Sequence, residues 1–283
     1  LARFLRSVVV LDAGQPRADL IPLSRNCPGY PDGVSGKELL RRLRSQASGY
    51  GSEIVQASVL SIERRDDCFA LSTHSVSVNA SFVILATGLV DRTPAIRGLR
   101  EGIAAGVVGL CPVCDGYEAR RKRVGVVGQG EAALKEAQFL LTYSSDVFIL
   151  ARSAADIDPA VREQAAIEGI GIWDVGEVKV ADGKLLVSMP DGSLRDLDML
   201  YSAMGCHVRS ELASQVGAEC DRHGYVRVGT HLETSVPRLY AIGDVVQALN
   251  QLAVGFGHAA IAATDIHNAL RDRGAMKRET TPV

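Results

Sequence analysis

Residues 123–151 read "RVGVVGQGEAALKEAQFLLTYSSDVFILA". An apolar run breaks at a glycine turn, a stretch with helical apolar spacing follows, and a second apolar run closes it. Strand, glycine turn, helix and strand in that order restrict the chain to an α/β unit that winds helices onto a parallel sheet. The same plan occurs twice. "SVVVLDAG" (7–14) reads as a buried strand preceded by the tail of a helix, "NCPGYPDGVSG" (26–36) as a Gly/Pro loop, and the residues from Lys37 as a helix stopped by glycine. Residues 52–79 alternate as one antiparallel meander would, and "FVILATG" is a strand ending at Gly88. The second copy adds a helix at "PAVREQAAIEG", then a meander with two Asp-Gly turns ending in the strand "MLYSAMG". One more strand ends at Gly243-Asp244, followed by a small-residue helix that looks like a return to the first unit. The polar tail 273–283 is expected to fray.

At 283 residues, two domains of ordinary size are expected. A net charge of −2 gives no electrostatic reason to bind nucleic acid. No apolar run reaches the roughly 18 residues of a membrane helix, so neither nucleic acid nor membrane is expected as a partner. Six cysteines are too sparse for a secreted disulfide scaffold, which favours a cytoplasmic setting.

Gly128-x-Gly130-x-x-Ala133 follows a strand and opens a helix, the context in which glycines admit a pyrophosphate to a helix N-terminus. A plain strand-to-helix turn is the competing reading. About twenty residues on, where the ribose is read, stand Ala151, Arg152 and Ser153. The missing acid and the arginine favour NADPH, with NADH left open. In the first unit Asp12 stands where a ribose acid belongs, or serves as a turn residue before Gly14. Its glycine fingerprint is expected before residue 1, so an N-terminal strand, the GxGxxG turn and most of a helix are expected to be missing from the chain as given.

Cys111-Pro-Val-Cys114 could be half of a zinc site, with Cys206-His207 the only other clustered ligand pair. A redox dithiol is the better reading: one sulfur attacks a substrate disulfide and the other resolves the mixed disulfide. Asp115 could protonate a leaving thiolate if burial raises its pKa, or simply be a turn acid before Gly116. The other cysteines are read as small packed hydrophobes. His207, His223 and His258 are read as solvated or hydrogen-bonded structural histidines.

Together "NCPGYPDGVSG", "ILATG", "CPVCDG", "GQGEAA" and "TSVPRLYAIGD" resemble the low-molecular-weight thioredoxin reductase family of flavoproteins, in its order and over essentially the whole chain. The resemblance implies two Rossmann-like, doubly wound nucleotide-binding domains, the second inserted into the first and each with a small antiparallel meander. Residues 1–95 and 225–283 would form the FAD domain and 96–224 the NAD(P)H domain carrying the dithiol. It further implies that Cys114 faces the flavin, Cys111 exchanges with substrate and Asp115 is the acid. Asn26, Thr87, Gly88, Gly243, Asp244, Asn250 and Gln251 would serve FAD, with Gly243 and Asp244 at the pyrophosphate and ribityl chain and Asn250 and Gln251 near the ring. Electrons would pass from NADPH through FAD and the dithiol to thioredoxin or a similar small or protein disulfide, in a homodimer. Ala151-Arg152-Ser153 replaces the family's usual His-Arg-Arg, and "CPVC" its commoner "CATC". A dithiol oxidase that passes electrons to oxygen, and a degenerate nucleotide-binding module, are the competing functions; the intact "GQGEAA" turn argues against the oxidase.

Overall fold

Strand Arg123–Gly128 is central to a five-stranded sheet in which every neighbour is parallel, ordered Gly171–Asp174, Asp146–Ala151, Arg123–Gly128, Met199–Ala203 and Val108–Gly109. The computed structural model describes residues 1–279, and side chains of residues 1–272. Parallel strands need crossovers that cover the faces, and alternation along each strand divides the side chains between two cores. Val124, Val126, Val147, Ile149, Met199 and Tyr201 point to one core, shared with Ala133, Ala137 and Leu140 of helix Gly130–Leu140 and Val161 and Ala165 of helix Pro159–Ile167. Val127, Leu150, Trp173 and Leu200 point to the other, under the meander Glu177–Ala181, Lys184–Ser188 and Leu194–Leu197. Gly125 sits on this second face because a Cβ there would meet Leu197 Cδ1 at 2.6 Å. The strand Gly171–Asp174, unforeseen in the sequence, carries the chain's single tryptophan.

The chain divides into two compact units. One comprises Leu1–Arg17, Glu38–Val90 and the chain from Val208 onward; the other comprises Ala18–Lys37 and Asp91–His207. A second unit inserted into a first is the arrangement that the resemblance implies, with divisions at 90/91 and 207/208 where 95 and 224 were expected. The Gly/Pro loop 26–36 groups with the inserted unit.

In the outer unit Val9–Asp12 pairs in parallel with Glu53–Gln56. Where a buried strand was expected at 7–14, the strand is Val9–Asp12 and none of its four residues is fully buried. The helix tail expected before it is one short 3-10 turn, Ala2–Phe4. The meander is three strands, Ser61–Arg64, Phe69–Ser72 and Ser77–Ala80, because residues 53–56 belong to the parallel pair. Val83–Leu85 pairs in parallel with Leu239–Ala241, and the helix Leu252–Glu279 packs Ala262 and Ile266 against Tyr240. The helix continues to Glu279, so the tail expected to fray from 273 is helical that far, and 280–283 lie outside the described residues.

Leu140, fully buried in the first core, should cost about 2 to 5 kcal/mol when truncated to Ala. Urea unfolding followed by Trp173 fluorescence should show an earlier transition for Leu140→Ala, because Trp173 lies in the same unit on the opposite face of the sheet.

Candidate active site

The dithiol lies in the inserted unit. Strand Val108–Gly109 leads into Cys111, whose extended backbone caps the helical turn Pro112–Asp115. Proline at the first helical position has its φ already set and no N–H to satisfy. The Cys114 N–H donates to the Cys111 carbonyl at 2.8 Å, and the two sulfurs are bonded across a Cα separation of 5.3 Å. A Cβ on Gly116 would meet the Tyr143 ring at 2.7 Å, so glycine is required where the turn packs on that ring.

Asp115 is more than a turn acid. Its Oδ1 is buried without a hydrogen-bond partner. Burial is the largest cause that pushes its carboxyl up to about 6; the Tyr201 hydroxyl pulls the other way, and Glu118 adds to the rise. The Tyr201 hydroxyl donates to the Asp115 backbone carbonyl at 3.3 Å. Glu136, on helix Gly130–Leu140, is pushed up to about 7 by burial and then by the Asp115 charge. Burial, then Asp115, also raises the Tyr201 phenol, which stays neutral.

Glu136 and Tyr201 were missed in the sequence. Glu136 lies three residues after Ala133 and four before Leu140, both buried, so an acid on the core stripe of the helix was the available signal. Tyr201 sits opposite Gly109 in the parallel ladder, and a Cβ on Gly109 would collide with its ring. No sequence pattern pairs those two positions.

The glycine turn lies in the same unit as the dithiol. Gly128 is tight: a Cβ would meet Ala203 Cβ and its carbonyl oxygen at 2.8 Å. Gly130 has φ +53°, and a Cβ there would meet nothing within 4 Å. Ala133 is buried one turn into the helix, whose N-cap Gln129 makes no side-chain cap. Open space beside uncapped N–H groups fits a pyrophosphate. At the ribose end Arg152 is exposed, while Ser153 Oγ accepts from the Ala155 N–H at 3.2 Å and so caps a short turn. Asp174, level with Ala151 in the ladder, accepts from the Ala154 N–H and brings to this loop the acid that residues 151–153 lack.

Asn26 Oδ1, also in the inserted unit, accepts from Ser24 Oγ at 3.0 Å. The other expected FAD residues lie in the outer unit. Asp12 Oδ1 accepts from the Gly14 N–H at 2.8 Å and Oδ2 pairs with Arg44, so the carboxylate already shapes a turn. Thr87 Oγ1 donates to the Arg209 carbonyl at 2.5 Å. Gly88 and Gly243 have φ of +67° and +70°, each with open space where a Cβ would stand. The Gly243 N–H donates to His258 Nδ1 at 3.2 Å, and Asp244 pairs with Arg17 at 3.4 Å. Asn250 Oδ1 is buried without a partner, and the Gln251 N–H donates to the Leu249 carbonyl at 2.8 Å. Open glycines and an orphaned buried amide oxygen fit a bound polar cofactor. Of the four other cysteines, read as small packed hydrophobes, Cys27 is buried and Cys68, Cys206 and Cys220 are partly buried.

The family model for pyridine nucleotide-disulphide oxidoreductases matches residues 3–264. The chain belongs to that family. Among its relatives, the mitochondrial thioredoxin reductase 1 of Arabidopsis thaliana is 32% identical over 273 residues, covering 89% of this chain and 72% of the relative. Thioredoxin reductase 1 of Saccharomyces cerevisiae is 31% identical over 269 residues, covering 87% and 82%. The crystal structure of thioredoxin reductase from Streptococcus pyogenes is 27% identical, with a TM-score of 0.85 over 96% of this chain and 92% of that one. The fold is therefore α/β with two Rossmann-like domains, and the family's cofactors are FAD and NADPH.

Arg152→Ala should raise the KM for NADPH about tenfold and leave that for NADH nearly unchanged, the loss of one charge-assisted contact to the 2'-phosphate. Asp174→Asn should shift the ratio of kcat/KM values toward NADPH, because it removes a negative charge from the same loop. Steady-state kinetics with both nucleotides checks the pair.

Proposed function

We propose that the chain is a flavoprotein disulfide reductase that passes electrons from NADPH through FAD to the Cys111–Cys114 pair and on to thioredoxin or a similar protein disulfide. The observation that carries this reading is the bonded CxxC pair beside Asp115, whose Oδ1 is buried without a hydrogen-bond partner, in the same unit as an open glycine turn at a helix N-terminus. The relatives named thioredoxin reductase support the choice of thioredoxin over a small disulfide.

When bound, NADPH and FAD supply the electron pair that reduces the disulfide. Gly128, Gly130 and Ala133 would admit the nucleotide pyrophosphate and Arg152 and Ser153 its ribose end, while Thr87, Gly88, Gly243, Asp244, Asn250 and Gln251 would hold FAD, with Asp12 contributing from its turn. The Cys111 thiolate attacks the substrate disulfide and forms a mixed disulfide, and Cys114 attacks Cys111 to release the reduced substrate. Asp115, neutral below about pH 6, gives its proton to the thiolate that leaves and can take it back from the thiol that attacks. Thiol protonation therefore weakens as pH rises through that value. Cytoplasmic location and a homodimeric state complete the proposal; none of the described helices is long and apolar enough to cross a membrane.

Anaerobic titration of the purified protein with NADPH and then NADH, following the visible flavin band, tests the reading. NADPH should bleach the band and oxidised thioredoxin should restore it. Cys114→Ser should abolish turnover of the disulfide while flavin binding persists. Turnover with oxygen and a small dithiol, but none with thioredoxin, would overturn the proposal in favour of an oxidase.

A further inference from the structure

We propose that Arg25 is a positioning residue for the dithiol: by pairing with Glu118 it holds that acid in place and neutralises its charge, so that Cys111 and Cys114 can carry thiolate. The proposal rests on the disulfide-reductase reading and extends it to a residue far from the dithiol in sequence.

Arg25 is delivered by a closed loop, residues 18–37, which groups with the inserted unit. The neck of the loop is shut where the Gly36 N–H donates to the Ile21 carbonyl at 3.0 Å. Gly36 also passes so near Ala18 that a Cβ would collide with its carbonyl oxygen. Ser24 and Val34 then exchange two backbone hydrogen bonds, of 2.8 and 2.9 Å, which tie the loop a second time just before Arg25. Ser24, Cys27 and Val34 are buried, and the Ser24 hydroxyl donates to Asn26 Oδ1 at 3.0 Å. Arg25 therefore stands on a short stretch anchored on both sides, and less freedom is lost when its guanidinium is placed.

The receiving group is Glu118, on the 3-10 turn Gly116–Ala119 that directly follows the dithiol turn Pro112–Asp115. Arg25 Nε meets Glu118 Oε1 at 3.2 Å, while Glu118 Oε2 is buried without a hydrogen-bond partner. Residues 111–119 contain two acids, Asp115 and Glu118, and no lysine or arginine. The basic run that follows is turned to other uses. Arg120 lies over the Tyr117 ring at 4.5 Å and bonds its hydroxyl, Lys122 reaches Met199 Sδ at 3.6 Å, and Arg123 pairs with Asp146 at 2.9 Å. Arg121 is exposed and makes no ion pair with Glu118. Arg25 is thus the charge that balances the dithiol segment from outside it.

The nucleophile in disulfide exchange is the thiolate, and a bare carboxylate nearby disfavours a second negative charge. The Glu118 charge is felt at the neighbouring Asp115, to whose rise it adds. Paired with Arg25, Glu118 contributes little net charge, and the attacking sulfur ionises more readily. In the exchange the Cys111 thiolate bonds to one sulfur of the partner disulfide, that S–S bond breaks, and its electron pair leaves on the other sulfur. Arg25 and Glu118 form no bond in this step; they set how much thiolate is present.

The test uses the full chain and needs neither nucleotide nor flavin. The protein is reduced with dithiothreitol, freed of it, and treated with iodoacetamide at one pH near neutrality; the thiolate displaces iodide and keeps the carboxamidomethyl group. Mass spectrometry of the peptide that contains Cys111 and Cys114 reads their rate apart from the other cysteines. Arg25→Gln leaves Glu118 unpaired and should slow the reaction about threefold. Arg25→Glu should slow it further, and Arg25→Lys should keep it close to wild type. Glu118→Gln added to Arg25→Gln should restore the wild-type rate, which a merely structural role of Arg25 would not allow. Raised salt should narrow the gap between wild type and Arg25→Gln. The Arg25 side chain is 56% exposed, and Trp173 fluorescence from the same unit checks that each variant is folded. Rates that ignore the charge at position 25, or a double variant as slow as Arg25→Gln alone, would overturn the proposal. Charge-ordered rates in a protein that NADPH cannot reduce would sink the reductase reading alone; normal thioredoxin turnover with charge-independent rates would sink only the role of Arg25.

Discussion

The parallel pairing of strand Arg123–Gly128 with Asp146–Ala151 on one side and Met199–Ala203 on the other is the constraint from which the inserted unit follows. A strand bonded on both edges and covered on both faces can carry only apolar or very small residues, and Val124, Gly125, Val126 and Val127 meet that demand. The end of this strand sets the glycine turn, because Gly128 must pass Ala203 of its neighbour before the chain opens out at Gly130. The adjoining strand carries Tyr201 beneath the dithiol. The same ladder therefore fixes both the place where a nucleotide can approach and the surroundings of the redox pair.

Electrostatics in this region runs against the usual handling of buried acids, which are paired with cations when they leave water. Asp115 and Glu136 have no such cation among the described residues, and Glu118 shares Arg25 through one oxygen only. The cost of charging these groups appears as carboxyls raised toward neutrality. Groups perturbed by burial and by one another are a mark of functional sites, and here they surround a disulfide.

Much of this was legible in the sequence where the signal is local. Strand–glycine–helix order, the Asp-Gly turns of the meander and the CxxC pair depend on neighbours a few residues apart, and each was found where expected. The misreadings concern distance. Val9–Asp12 looks like a core strand by composition, yet burial depends on the strands that flank it, and among the described residues Glu53–Gln56 is the one paired with it. The parallel role of 53–56 was hidden because alternation says nothing of the partner. Tyr201, Asp174 and Arg25 act across about twenty to ninety residues of chain, as their bonds to Asp115, Ala154 and Glu118 show, and no spacing rule reaches that far.

The dithiol turn is bolted in place from several directions. Pro112 fixes its entry, the Cys114 N–H ties it to Cys111, Gly116 lies flat against Tyr143 and Tyr201 props Asp115 from the sheet. In mechanical terms the sulfurs sit on an anvil, so little of the energy of an arriving disulfide is absorbed by bending the turn. The partner must supply the adaptation: an extended, flexible segment carrying its own disulfide can align its sulfur with Cys111, whereas a cystine locked in a rigid domain must already have the right approach.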